Sequence, residues 1–240
     1  MVREDEVEKE EPPAPSKRRI FDPPAYDPPS GPPARSGPWM EALRGATKVY
    51  YEDDVVKLVY DGYPKARKHL LGLAPKGSPL YDVKSVTDLA PKHLDALREF
   101  HRRCFECAEH FDESFRVGYH SDPSMNWLHC HVVSDDFDSK RITKKKHYLS
   151  FATDFFLDAN DLETCLLKEE KDATSSLRTE LQRRASTVQG ADLTCFHCHK
   201  RLPTFSALKA HLPCSKMKKK KKKKTKESPP AAAAVAAAKE

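Results

Sequence analysis

The nonapeptide NWLHCHVVS at residues 126–134 sets His129 and His131 two apart in a run that is otherwise apolar or small. An extended chain sends alternate side chains to opposite faces, so Trp127, His129 and His131 share one face and Leu128, Cys130 and Val132 take the other. The two imidazoles then stand roughly 6–7 Å apart on an exposed face of a rigid strand. A neutral imidazole offers a lone pair to a metal or to phosphorus, and its ordinary pKa of about 6.5 supplies that form near neutral pH. Ordinary surface histidines are the bland alternative, and this stretch alone does not choose. A second set lies nearer the C-terminus, Cys195-x2-Cys198-x12-His211-x2-Cys214. These are the ligand types and spacings of a structural zinc finger with three thiolates and one imidazole. Phe205 and Leu208 between the pairs give a small apolar core, too little to fold unaided, so Zn2+ is expected to supply the missing stability. His197 and His199 are competing ligands but lie in or beside the Cys-x2-Cys turn, with poor geometry. A third set, His101, Cys104, Cys107 and His110, is spaced by threes. On a helix it spans about 13.5 Å, so one ion cannot reach all four, and the two cysteines read as buried packing residues.

Several elements must position these groups. GPWMEALRGA reads as a short helix with Pro38 near its first turn. Apolar and polar residues alternate over Val49–Tyr51 with Val55–Tyr60, and again over His69–Leu73; DGYP between them is a turn signal, giving a strand, a turn and a second strand ending at Pro75. Leu94, Leu97, Phe100, Cys104, Cys107 and Phe111 fall on one face of an amphipathic helix of about five turns. FRVGYH and WLHCHVVS read as two further strands separated by SDPSMN, and a helical segment is expected over residues 174–186. The fold class is α+β, an antiparallel sheet with packed helices.

Composition bounds the rest. The 240 residues are 32% charged with 19 prolines, ten of them within residues 1–38. That leader is too poor in large apolar side chains to offset its ordering entropy, and residues 1–37 are expected to be disordered. Its acidic start is unlike a secretory signal, and no apolar run is long enough to span a bilayer, so a soluble chain with no membrane partner is expected. Seven cysteines without a secretory signal point to reduced thiols or metal ligands. After Cys214 the tail carries KMKKKKKKKTK and an alanine run. Residues 217–240 thus read as a solvated tail, equally a nucleic-acid attractor or nuclear-import signal.

DGYPKARKHLLGLAPK together with GYHSDPSMNWLHCHVVS resembles the histidine-triad superfamily of nucleotide hydrolases and transferases. DFDS and KKHYLSFATDFF extend the resemblance to its aprataxin family of DNA-adenylate hydrolases, from about Trp39 to Cys214. The superfamily signature is His-φ-His-φ-His-φ-φ, with φ apolar; Trp127 departs from its first position, while His129 and His131 fill the second and third. The resemblance implies that His129 attacks the α-phosphorus of an adenylate and forms a covalent His–AMP intermediate that water hydrolyses. It implies that His131 contacts phosphate oxygens and that a carbonyl of His131 or a neighbour fixes the His129 tautomer. It further implies that His120 stabilises the departing 5′-phosphate, with proton donation as one way to do so, that Ser124 binds phosphate, and that Lys65 lies near the nucleic-acid phosphate or the active-site edge. Asp61 would bond ribose hydroxyls and His69 would support the catalytic strand. Turn capping by Ser124 and a satisfied core histidine at His69 stay open as plain alternatives.

For nucleic-acid contacts, Lys144, Lys145, Lys146 and His147 suit phosphates, and Trp39 matches a family residue on a helix that wedges against the terminal base pair. The family finger packs beside the catalytic domain and contacts DNA. The expected organisation is a histidine-triad domain over 38–188 and a Cys3His finger over 189–216 between disordered ends. The expected activity is removal of AMP from 5′-adenylated ends of nicked or double-stranded DNA, in single-strand break repair, by a nuclear monomer whose only cofactor is structural zinc. No amino-terminal phosphopeptide-binding domain is expected, the leader being too short and proline-rich. The rivals are a hydrolase of small nucleotides, to which finger and basic loop would be useless, and a non-catalytic DNA-binding adaptor.

Overall fold

The computed structural model describes residues 21–29, 48–171 and 176–212. Trp39, its short helix, Cys214 and the basic tail lie outside them.

Six strands form one antiparallel sheet, in the order β1-β2-β3-β5-β4-β6. They are β1 (Val49–Glu52), β2 (Lys57–Tyr60), β3 (His69–Leu73), β4 (Phe115–His120), β5 (His129–Ser134) and β6 (Phe156–Asp158). The helices are α1 (Leu94–Glu109), α2 (Lys145–Ala152), α3 (Ala159–Lys171), α4 (Leu177–Ser186) and α5 (Phe205–His211). None is long and apolar enough to cross a membrane.

The run expected as one strand over residues 49–60 is a hairpin. The Asp53 carboxylate accepts from Val55 N at 2.9 Å and Val56 N at 2.8 Å, folding the chain back on itself. Asp53 is also paired with the buried Arg103 of α1 at 2.9 Å, so the turn is tied to the helix. The helix expected over 174–186 is α4, and the preceding α3 had no expectation attached. Residues 21–29, within the stretch read as a leader, lie against the domain. Tyr26 packs on Tyr50, Tyr60 and Phe111 with ring centroids 5.1–6.1 Å apart, and its hydroxyl oxygen accepts from His69 N at 3.1 Å. Phe21, whose ring centroid lies 4.6 Å from that of Tyr51, and Tyr26 suffice in this proline-stiffened segment because a hydrophobic patch is waiting for them.

Period-two alternation decides what each face of the sheet carries. Leu58, Tyr60, Leu70, Val117, Tyr119, Cys130, Val132 and Leu157 join the core under α1, with Leu97, Phe100, Cys104 and Cys107 from the helix. Residues His69, Leu71 and Leu73 of β3, His129 and His131 of β5, and His120 of β4 therefore go to the opposite face. Gly72 lets α1 approach, since a Cβ there would lie 2.9 Å from Cys104 Sγ. His101 is buried on α1 between Glu163 (2.6 Å) and the Tyr119 hydroxyl (2.8 Å), a satisfied core histidine rather than a ligand.

Candidate active site

β3, β5 and β4 are adjacent, which brings His69, His131, His129 and His120 to one place on the face away from α1. Trp127 precedes β5 rather than belonging to it, and the imidazoles are not exposed as the bare alternation predicts. His129 and His131 keep only 5% and 4% of their surface. Phe151 of α2 and Phe156 of β6 close over the face. The His129 and His131 ring centroids are 5.0 Å apart, and those of His120 and His131 are 4.4 Å apart.

Hydrogen bonds fix the tautomers. His129 Nδ1–H donates to the Trp127 carbonyl at 2.7 Å, which leaves Nε2 with its lone pair. The tautomer-setting carbonyl is thus a neighbour's, two residues back. Lys65 N–H donates to His69 Nδ1 at 3.1 Å, so the His69 proton resides on Nε2. That Nε2–H donates to His131 Nδ1 at 3.0 Å. His131 must then carry its proton on Nε2, a buried atom with no hydrogen-bond partner among the described residues. His120 Nε2 is likewise buried and unpartnered among them. Two orphan nitrogens beside one with a free lone pair are costly unless a ligand satisfies them. Burial pushes all four imidazoles below their ordinary pKa. For His120 and His131 the other imidazoles and Lys65 add to that, and His69 comes down to about 4. The cluster is neutral in the absence of an anion.

The remaining candidates surround this centre unevenly. Asp61 Oδ2 stands 3.7 Å from His69 Nε2 and Oδ1 accepts from Tyr63 N at 2.5 Å. The half-buried Lys65 reaches the Tyr63 carbonyl, and burial lowers its pKa. Ser124 is exposed on the loop after His120, whose Pro123 lines a small hollow with His120, His129 and Trp127. Lys144, Lys145 and Lys146 are exposed at the start of α2, whose first turn holds no acidic residue. Three cations at the positive end of a helix are unfavourable, and bound phosphate would relieve that. The half-exposed His147 instead holds the turn before the helix, its Nδ1 accepting from Thr143 N at 3.3 Å. Val59, Leu71 and Leu73 form a small apolar floor with Met125 beside the imidazoles.

Asp61, His69 and His131 are close enough to surround an ion. The Lys65 bond argues against one there, because a metal on His69 Nε2 would put a proton on Nδ1, facing the Lys65 N–H. Cys195, Cys198 and His211 converge without such a conflict: their ligand atoms lie within 4.8 Å of one another, with Cys198 Sγ 3.0 Å from His211 Nε2. The Cys-x2-Cys turn has the form a metal knuckle needs, His199 N donating to Cys195 O at 2.9 Å and His199 adopting φ +59°. His197 and His199 are not among the converging ligands; the Nε2–H of His197 donates to the Asp135 carbonyl at 2.7 Å, and His199 is exposed. These residues suit Zn2+ as three of four ligands.

Two participants were not named by the sequence reading. A tautomer-setting carbonyl was expected, but that it is Trp127's carries no residue-type signal. Phe151 sits in the KKHYLSFATDFF run that carries the resemblance, but only its helical position, three residues after Tyr148, hints that it shares that buried face.

Residues 40–147 match the family model described as "Scavenger mRNA decapping enzyme C-term binding". Aprataxin of Danio rerio is 33% identical over 185 residues, covering 74% of this chain and 53% of that protein. The aprataxin-like protein of Saccharomyces cerevisiae is 30% identical over 194 residues, covering 68% of this chain and 85% of that one. The chain thus spans about half the length of the vertebrate relative. Among solved structures, "Hnt3 in complex with DNA and guanosine" matches with TM-score 0.54 at 24% identity, over 77% of this chain and 95% of that one. The aprataxin ortholog Hnt3 from Schizosaccharomyces pombe also matches with TM-score 0.54, at 23% identity over 77% and 92%. At these identities the structural likeness concerns the fold.

Proposed function

The chain belongs to the aprataxin-like proteins of the histidine-triad superfamily, and from that premise we propose that it is a hydrolase releasing AMP from 5′-adenylated DNA ends. The observation that carries the reading is the tautomer pattern: one unprotonated Nε2, on His129, beside two buried nitrogens that have no partner among the described residues.

His129 Nε2 attacks the α-phosphorus, a P–N bond forms, and the anhydride P–O bond to the DNA 5′-phosphate breaks with its electron pair on the leaving oxygen. His131 Nε2–H donates to a non-bridging oxygen as charge accumulates there. His120 faces the leaving phosphate and supplies a proton or hydrogen bond to it. An anion beside His120 favours its charged form, so a larger fraction of His120 carries a proton to give once the substrate is in place. Water then attacks the His129–AMP phosphorus and AMP departs. The neutral His129 is obtained through burial, so the reaction needs no separate base in its first step.

Asp61 takes the ribose hydroxyls, with the Val59, Leu71 and Leu73 floor under the adenine, and Ser124 and Lys65 border the phosphates. Lys144, Lys145 and Lys146 hold the DNA backbone, His147 contributing by supporting their turn, and Trp39 meets the terminal base pair. Zn2+ on Cys195, Cys198, His211 and Cys214 acts structurally. The S. cerevisiae and D. rerio relatives support the assignment, as does the basic start of α2. The lysine-rich tail suits a nuclear protein.

The test is a gel assay of nicked duplex carrying a 5′-adenylate, with His129→Ala in parallel. AMP release by wild type alone establishes reaction and nucleophile together. Release by neither, with both proteins folded and zinc-loaded, overturns the proposal and favours a non-catalytic DNA binder; equal or faster turnover of a dinucleoside polyphosphate favours a small-nucleotide hydrolase.

A further inference from the structure

Helix α2 touches both the cysteine module and the imidazoles. On one side the buried Tyr148 hydroxyl donates to the Thr194 carbonyl at 2.9 Å and accepts from Phe196 N at 2.8 Å, on either side of Cys195. Phe137 meets Tyr148 and Phe196 edge-on, at 5.5 and 5.4 Å between centroids. Lys209 of α5 donates to the Ile142 carbonyl at 2.9 Å, just before α2 begins. Three residues after Tyr148, Phe151 presents its ring to His69, His120 and His131, at 5.4, 4.5 and 5.1 Å. Arg116 donates to the Phe151 carbonyl and anchors it, so the ring has little freedom to withdraw. One apolar cluster runs through Tyr148, Phe151 and Phe156 into Leu193, Cys195, Leu202 and Leu208.

His131 is oriented on one side by His69, but neither its Nε2 nor that of His120 has a partner in the described residues. What holds the His120 ring is packing, against Phe151, Phe155, Phe156 and His131. Close-packed interiors transmit displacement, and a helix is stiff over one turn.

We propose that Phe151 is a positioning residue for His120 and His131, and that Tyr148 makes its position depend on the Cys195–His211 module. The module then shapes the reacting centre itself, beyond any contact it makes with DNA. This rests on the hydrolase reading above, as a statement about how that same site is controlled.

The experiment uses full-length, zinc-loaded Tyr148→Phe and Phe151→Leu proteins and two substrates, a 5′-adenylated nicked duplex and adenosine 5′-phosphoramidate, which has no strand for the module to hold. Tyr148→Phe keeps the ring and removes the hydroxyl that makes the two bonds to the module. It is expected to lower kcat on the small adenylate by about tenfold or more with little change in KM, since sub-ångström misplacement is expensive in an aligned site. It should also shift the imidazole resonances of His120 and His131 in NMR spectra, although the hydroxyl that is removed bonds the module. If Phe151→Leu fails to fold, Tyr148→Phe carries the test. Unshifted resonances together with a defect confined to KM for DNA would overturn the proposal and leave the module a clamp. If wild type cleaves neither substrate, the hydrolase reading falls instead, and the resonances alone decide whether α2 couples the two regions.

Discussion

Acid should cost this fold more than its carboxylates alone would demand, and His69 is where the cost can be isolated. His69 is fully enclosed, and burial lowers its pKa from 6.5 to about 4. Between those values the unfolded chain binds a proton that the native state refuses, so stability falls as pH falls through the window. At pH 4 the unfolded histidine is titrated for about 2.5 units below its pKa and the folded one is half titrated. The difference is about 2.2 units, or roughly 3 kcal/mol at about 1.36 kcal/mol per unit. His120, His129 and His131 shift in the same direction and add to the loss. Carboxylates begin to titrate in the same range, so the comparison is with His69→Gln, which has no proton to gain. Urea unfolding of both proteins at about pH 7.5 and about pH 4.5 gives the change in stability for each. Wild type should lose about 2–3 kcal/mol more than the variant across that interval, whatever their absolute stabilities. Equal losses would mean that His69 binds its proton in the native state as readily as in the unfolded chain, and the neutral, tautomer-locked cluster would have to be abandoned.

Gly118 pairs with both His131 and Asp158, and a Cβ there would lie 2.2 Å from the Leu157 carbonyl. Gly118→Ala should therefore cost about 3 kcal/mol or more and lower Tm by roughly 6–12 °C in a calorimetric scan; Gly72→Ala, opposed mainly by the Cys104 thiol, should be milder. Replacing Lys144, Lys145 and Lys146 together by glutamate should weaken DNA binding and flatten its salt dependence, each lost phosphate contact removing about 0.9 from the log–log slope. A titration with an unchanged slope would place the DNA elsewhere. Chelation at neutral pH should release zinc from the protein, measurable with a colorimetric dye, and lower Tm, because Leu193, Leu202 and Leu208 of the module share a core with α2. If Cys195→Ala binds as much zinc as wild type, the ligand set is wrong.

Local pattern determined much of this molecule. The strands at His69–Leu73, Phe115–His120 and the histidine run, and the apolar face of α1, follow from periods of two and 3.6 because burial of one face is enough to select them. The inward cysteines and the knuckle spacing of Cys195 and Cys198 were legible for the same reason, being relations between residues close in sequence. The hairpin at Asp53 was not: its turn depends on a carboxylate bonding backbone and on Arg103, fifty residues away. Nor was the packing of Tyr26 against Tyr50, Tyr60 and Phe111, which needs the assembled sheet and helix to exist first. The histidines show the division most clearly. Sequence supplied their identity and shared face, whereas an isolated strand would leave them exposed and free to titrate at ordinary values. Only the sheet order, which sets β3 and β4 on either side of β5, and the closure of Phe151 over the result make them buried, neutral and fixed in tautomer. Desolvation and hydrogen bonding at that site are sums over residues far apart in the chain, so no local spacing encodes them.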